Sequence, residues 1–343
     1  MEWEPVFEIG CVTGRPVDAP EEREHDSSMR DGMIRWFKGS VHVHTTNSDG
    51  DSSPADVARW YRRHGYHFVA ITDHNRVTPV EELNRELAVE GEFLVLPGEE
   101  ISDFHHANEE SKPIHINAMG VTVTVKPQGG DSRAEVVQNN INAVNASGGL
   151  AMVNHPNFQW ALSPTDLIGL RGCTLLEFAN CGSAVNNLGF DTPDAERIWD
   201  ELLGAGLCLF GVASDDSHHF TTFSPRHDNP GRGWVMVRCS ALSPGAILGA
   251  LARGEFYSTT GVVLDCIEAG PPGIRIGMEP WDHTKYCVEF IGRGGLILRT
   301  LIGNTAEYHP DGTESYVRVR VTDSNGLRAW TQPVFPAAQC QKE

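Results

Sequence analysis

Two imidazoles stand two residues apart at His42 and His44, a spacing that puts both on one face of a β-strand. Asp49 follows in a Ser-Asp-Gly turn, where the chain folds back over them. Two histidines and a carboxylate presented together begin a metal site. By itself, a His-x-His is as well explained by a half-buried strand with two polar positions. The rest of the chain repeats the same donor types, in Thr72-Asp73-His74-Asn75, Pro97-Gly98-Glu99-Glu100, His115-Ile116-Asn117, Asn154-His155-Pro156 and Ser214-Asp215-Asp216-Ser217-His218. Each has a plain alternative, such as a helix cap, a turn before proline or a solvated loop. Together they make nine ligand candidates: His42, His44, Asp49, His74, Glu99, His115, His155, Asp216 and His218. Such a set suits two or three divalent ions, with Glu99 as a bridging carboxylate. Zn, Mn and Fe all accept this mixture of imidazole and carboxylate.

Clustered divalent ions acidify a bridging water and neutralise an oxyanion. The nucleophile would then be a metal-bound hydroxide, in agreement with the lack of a Gly-x-Ser-x-Gly elbow. Asp73, His218 and Glu99 are the candidate catalytic groups. Arg226 and Arg232, in a Pro/Gly-rich loop, and Asn117 are candidate substrate contacts, the arginines for a phosphate charge. The stretch Asp103–Lys112, rich in His and Glu, reads as a lid or a solvated loop.

These residues need elements that bring them to one place. Strands are expected at Ser40–His44, Phe68–Thr72, Phe93–Leu96, Ile116–Val125, Leu150–Asn154, Thr174–Ala179, Cys208–Ala213 and Trp234–Val237. Helices alternate with them: one capped by Ser53-Pro54, one starting at Thr78-Pro79, and others near 133–146, 193–204 and 243–251. About seven βα units favour a distorted βα barrel, in which loops at the carboxyl ends of the strands converge on one mouth. A doubly wound open sheet is the alternative, but no Gly-x-Gly-x-x-Gly follows the first strand. His115 does not fit this scheme, because it precedes its strand. After about residue 261 the runs at 286–291, 296–302 and 316–321 alternate as antiparallel strands do, and Asp323-Ser-Asn-Gly326 reads as a hairpin turn. The expected organisation is an N-terminal extension over 1–38, a metal-hydrolase barrel over 39–260 and a C-terminal β region over 261–343 packed on the barrel.

In their order, His42-x-His44, Thr72-Asp-His74, Gly98-Glu99, Asn154-His155-Pro156 and Asp216-x-His218 resemble the PHP family, the polymerase-and-histidinol-phosphatase group of metal-dependent hydrolases. The resemblance spans roughly residues 39–260. It implies a distorted seven-unit βα barrel with a di- or trinuclear metal cluster at its mouth. Carried over, His42, His44, Glu99 and Asp216 would hold one ion, Glu99, His115 and His155 a second, and Asp49, His74 and His218 a third. Asp49 departs from members that have His there. The implied activity is that of a phosphoesterase on small phosphate mono- or diesters. A second branch, the carbaryl hydrolases, is resembled through Gly39-x-x-His-x-His44, His115-Ile-Asn-Ala-Met-Gly120, Asn154-His-Pro156 and Ser258-Thr-Thr-Gly261. It implies aryl carbamate or carboxyl ester hydrolysis, for which Phe104, Phe158, Trp160 and Phe220 would line the mouth.

Composition narrows the partners. With 27 Lys+Arg against 46 Asp+Glu the formal charge is −19, which disfavours tight binding to nucleic acid polymers or anionic membranes. The expected partner is a small-molecule ester. No apolar run approaches a membrane span and the N-terminus lacks an apolar signal region, so the expected address is the cytoplasm. The eight cysteines form no Cys-x-x-Cys pair and read as small buried hydrophobes rather than disulfides.

Overall fold

The computed structural model describes residues 34–107, 110–270 and 273–335. The N-terminal extension up to residue 33, with its expected strand at Val6–Ile9, lies outside the described residues, as do Cys11 and Cys340. The first half of the chain alternates β1 (Arg35–Ser40), α1 (Pro54–Arg63), β2 (Phe68–Ile71), α2 (Glu81–Leu87) and β3 (Leu94–Ala107), followed by β4 (Glu110–Met119), α3 (Arg133–Ala146), β5 (Leu150–Val153), α4 (Pro164–Leu167), β6 (Leu175–Asn180), α5 (Ala195–Gly204) and β7 (Phe210–Ser214). Then come β8 (Trp234–Cys239), α6 (Pro244–Ala252), β9 (Phe256–Thr259), β10 (Leu264–Gly270), β11 (Gly273–Met278), β12 (Tyr286–Gly292), β13 (Leu296–Ile302), β14 (Thr305–Tyr308), β15 (Arg318–Asp323) and β16 (Arg328–Thr331). Caps start the helices where hydroxyl or carboxylate side chains meet the first free N–H groups. Ser53 accepts from Asp56 N ahead of Pro54, and Ser132, Asp194 and Ser243 do the same for α3, α5 and α6.

The result is a mixed α/β architecture with a thirteen-stranded sheet and a second, three-stranded antiparallel sheet of β10, β11 and β14. β1, β2 and β3 are parallel, as are β5, β6 and β7. Between these groups β4 runs antiparallel to both β3 and β5. The strand expected over Ile116–Val125 thus lies earlier, at Glu110–Met119, and runs against the parallel strands on either side. This also explains His115: in a reversed strand the residue just before the part paired with β5, Ile116–Met119, lies at the end where β5 finishes. The stretch Asp103–Lys112 is therefore no free loop. Its described residues form the arms of the β3–β4 hairpin, with Asp103 opposite Ile114 and His106 opposite Ser111.

Side chains rather than a ladder line the free edge of β7. The Ser258 hydroxyl accepts from Ala213 N and donates to Gly211 O. The Gln332 amide accepts from Gly211 N at 2.8 Å and donates to Gly211 O at 3.0 Å, as a paired strand residue would. Beyond β7, Val43 and Ser217 form a single parallel bridge. The C-terminal strands are not merely packed on the first half. β16 pairs with β9, and β15, β12 and β13 continue the large sheet outward. Arg318 of β15, fully buried, is held by Asp200 of α5 at 2.6 and 2.8 Å and by Glu196 at 2.8 Å. Buried apolar side chains fill the space on both faces. Phe37, Val41, Leu96, Met152 and Val212 pack against Ile247 and Leu251 of α6, while Val69, Ile71 and Val95 meet Val57 and Tyr61 of α1.

Among the described residues no helix is long and apolar enough to cross a membrane. Cys173, Cys181, Cys239, Cys266 and Cys287 are free thiols, whereas Cys208 is disulfide-bonded, which corrects the reading of every cysteine as a buried hydrophobe.

Candidate metal centre

The ladder of β1 ends at Ser40. The chain then presents His42 and His44 inward, both fully buried, while Val43 joins the core against α1. Asp49 follows the 45–48 turn, which Asp73 holds in place. Both Asp73 oxygens are engaged, with Thr45 N at 2.8 Å, the Thr45 and Ser48 hydroxyls and the Thr78 hydroxyl. Asp73 is buried and shapes the loop that carries Asp49; it does not line the cavity. His74 comes from the end of β2, His115 from β4, His155 from the end of β5, and Asp216 and His218 from beyond β7. Asp216 has φ +48°, a left-handed conformation that aspartate tolerates better than most residues.

At the centre stands Glu100. Its two carboxylate oxygens lie 3.2 Å from His42 Nε2, 3.3 Å from His44 Nε2, 3.0 Å from His74 Nδ1, 3.1 Å from His115 Nδ1 and 3.2 Å from His155 Nε2. Glu99 is its neighbour in the strand and so faces the other way. It accepts from Val125 N, and burial pushes its carboxyl up to about 7. The place among the imidazoles expected of Glu99 is thus taken by Glu100. The clue was Ile101: an apolar residue two places beyond Glu99 shares its face, so Glu99 belongs to the side packed on the 121–144 segment.

The donor atoms converge in four overlapping groups: His42, Glu100 and His155; His42, His44 and Asp216; His74, Glu100 and His115; and His44, Asp49, His74 and His218. His42 Nε2, His44 Nε2 and Asp216 Oδ1 are buried without a hydrogen-bond partner, although Asp216 Oδ1 stands 3.3 Å from His42 Nε2 and 3.1 Å from His44 Nε2. Buried polar atoms are seldom left unmatched. Ligands bound at about 2.0–2.2 Å to one ion sit from about 2.8 Å apart in octahedral geometry to about 3.6 Å in tetrahedral geometry, so these distances are those of a coordination shell. The electrostatics agree. Burial works against charged imidazoles here, yet hydrogen bonds with Asp49 raise His74 to about 10 and His218 to about 9. Glu100, despite burial, is held well below the usual carboxylate range by His42 and His115. The carboxylates demand positive charge, which divalent ions would supply. The residues present therefore fit the metal cluster.

A second layer orients the imidazoles. Glu177 on β6 accepts from His42 Nδ1 at 2.8 Å, and the Asp216 carbonyl accepts from His218 Nδ1 at 2.8 Å. Asn117 is fully buried; it donates to Val41 O and accepts from Asn154, which in turn donates to Glu100. It therefore braces the cluster and is not among the described residues that line the cavity. Arg226 is exposed, and the Arg232 guanidinium is tied to Ser224 O and Asn229; neither lines the cavity.

The mouth is a cavity of about 320 Å³ lined by Asp49, His74, Glu100, His115, His155, Asp216 and His218 on the metal side, and by Phe158, Gly182–Val185, His219 and Asp228 opposite. Of the four aromatic residues expected there, only Phe158 lines it. Phe220 packs on Trp60 and Tyr61, Phe104 stacks on His106, and Trp160 is 41% exposed. Sequence reasoning missed Glu100 and Glu177. The latter was marked only by being a lone carboxylate in the apolar strand Leu175-Leu176-Glu177-Phe178.

No known family model and no curated protein matches the chain. Among solved structures it is similar to a two-domain protein of Bacteroides vulgatus containing a predicted PHP-like metal-dependent phosphoesterase, with 16% identity over 90% of this chain and 98% of that one and a TM-score of 0.49. It is also similar to an amidohydrolase of Chromobacterium violaceum, with 14% identity, coverage of 56% and 93% and a TM-score of 0.36. A third is the lesion-specific endonuclease PfuEndoQ of Pyrococcus furiosus, with 12% identity, coverage of 63% and 56% and a TM-score of 0.34. PHP-like metal-dependent phosphoesterases are thus among its structural neighbours.

Proposed function

We propose that the chain is a metal-dependent hydrolase acting on small phosphate mono- or diesters. The observation that carries the hydrolase reading is the convergence of five imidazoles on Glu100, beside the unmatched His42 Nε2, His44 Nε2 and Asp216 Oδ1. In this reading His42, His44, Glu100 and Asp216 hold one ion, Glu100, His115 and His155 a second, and Asp49, His74 and His218 a third. Such ions would supply Lewis acidity towards an ester oxygen and acidify a water. The chain's own residues fix that arrangement: Glu177 and the Asp216 carbonyl set the ring orientations of His42 and His218, and Asp73 and Asn117 hold the backbone that presents them. A cavity of about 320 Å³ admits a small ester. No Lys or Arg is among its described lining residues, so a phosphate would be held by ions rather than by a guanidinium. The preference for phosphate is supported by the motif resemblance to the PHP family.

A second reading is aryl carbamate or carboxyl ester hydrolysis with the same ligands. Phe158 favours it, with its ring 5.6 Å from that of His115 and 5.3 Å from that of His155, because it offers an aryl group an apolar wall. The test is a matched panel with metal-loaded protein: p-nitrophenyl phosphate, bis-p-nitrophenyl phosphate, p-nitrophenyl acetate and 1-naphthyl N-methylcarbamate, with His74→Ala as the control for contaminating activity. The expected result is phosphoester cleavage that His74→Ala lacks. Cleavage of the acetate and carbamate alone would replace the first reading with the second.

A further inference from the structure

We propose that Glu177 is the positioning residue of the metal cluster, fixing His42 as a ligand through its Nδ1–H and thereby setting the ion affinity of the groups that His42 serves. This rests on the metal reading above and deepens it. Glu177 is fully buried, and His42 is its only ion-pair partner among the described residues. One oxygen accepts from His42 Nδ1 and from the Ser214 hydroxyl, the other from His155 N at 3.0 Å and Asn180 Nδ2 at 3.0 Å. Asn180 Nδ2 also donates to Asp216 Oδ2 at 3.0 Å. One carboxylate is thus tied to a candidate ligand after β1, to the backbone of another after β5 and, through Asn180, to a third after β7.

A neutral imidazole carries one proton, on one of its two nitrogens. With Glu177 accepting at Nδ1, the proton stays there and the Nε2 lone pair is left facing Glu100 and Asp216. Without that acceptor the ring loses its fixed tautomer and orientation. Outer carboxylates of this kind change metal affinity by about 10–100-fold. A charge buried this deeply without Lys or Arg is costly and is explained by cations one imidazole away. Glu177 makes no direct hydrogen bond or ion pair with the side chains of His44, Asp49, His74 or His218, so its effect falls first on the groups that contain His42.

The test is Zn²⁺ binding by equilibrium dialysis for the wild type, Glu177→Gln, His42→Ala and the double variant, with Co²⁺ absorption spectra of each and melting curves of the metal-free proteins. Glu177→Gln keeps the shape and removes the charge. It should weaken Zn²⁺ binding about 10–100-fold where His42 is a ligand and alter the Co²⁺ spectrum. In the His42→Ala background the same substitution should add little, because its route is gone. Unchanged Zn²⁺ affinity in Glu177→Gln, or an equal loss with and without His42, would overturn the proposal. Should Glu177→Gln fail to fold, Glu177→Asp takes its place in the same cycle, since a shortened carboxylate retreats from Nδ1 while keeping its charge. A wild type that binds no Zn²⁺ or Co²⁺ would overturn the metal reading itself, and the role of Glu177 with it.

Discussion

Glu99 and Glu100 are neighbours with the same chemistry and opposite situations. Alternation along β3 sends Glu100 to the histidines and Glu99 to the backbone of Val125, and only the strand's phase separates them. This gives a sharp expectation. Glu100→Gln should lose Zn²⁺ by at least about 10–100-fold in affinity and lose hydrolysis with it. Glu99→Gln should keep the wild-type Zn²⁺ stoichiometry, measured by elemental analysis after dialysis. The reverse outcome would place the bridge at Glu99. At this scale the side chains that converge were legible because His and Asp declare their chemistry by type, whatever the backbone does. Residues that serve through a neighbour were not. Asp73 looked reactive but braces a turn, Asn117 looked like a substrate contact but braces Asn154, and Glu177 looked like nothing. Their roles depend on which hydrogen bonds the fold completes, and residue type alone does not carry that.

Among the elements, the parallel strands were legible as short apolar runs between capped helices, and Leu296–Ile302 was placed to the residue. The direction of β4 was not, because an apolar run reads the same in either sense. Length was the missing signal: β3 and β4 extend over 14 and 10 residues, far past their apolar cores, as a hairpin's arms do. The edge of β7 was equally hidden, since its partners are side chains from β9 and from the residue after β16. Gln332→Leu would strip Gly211 of the partner to its N–H and of one of two donors to its carbonyl. We expect a loss of about 1–3 kcal/mol, read as a lower urea midpoint with an unchanged slope. A change below a few tenths would show that water serves Gly211 equally well.

For the molecule as a whole, the cluster joins folding to metal supply. Its candidate ligands come from β3, β4 and the segments after β1, β2, β5 and β7, so whatever binds them together binds only the folded chain. Ions present at a thousand times their dissociation constant would add about 4 kcal/mol. Chelation should therefore lower the melting temperature by several degrees, and restored Zn²⁺ should raise it again; in His74→Ala the shift should be smaller. A melting curve indifferent to chelator would deny the coupling. The formal charge of −19 overstates the repulsion in the loaded protein to the extent that ions fill the mouth. A last consequence follows from Gln332 and Trp330. They sit at the far end of the sequence, yet Gln332 satisfies the edge of β7 and Trp330 packs on Phe178, in strands that lead straight to Asp216 and Glu177. A nascent chain that has emerged only as far as residue 260 has every metal ligand and lacks the strand that finishes the wall behind them. The wall behind the site is therefore expected to close only after Gln332 has followed, and a stop codon between residues 260 and 332 is expected to destabilise the site although it spares every candidate ligand.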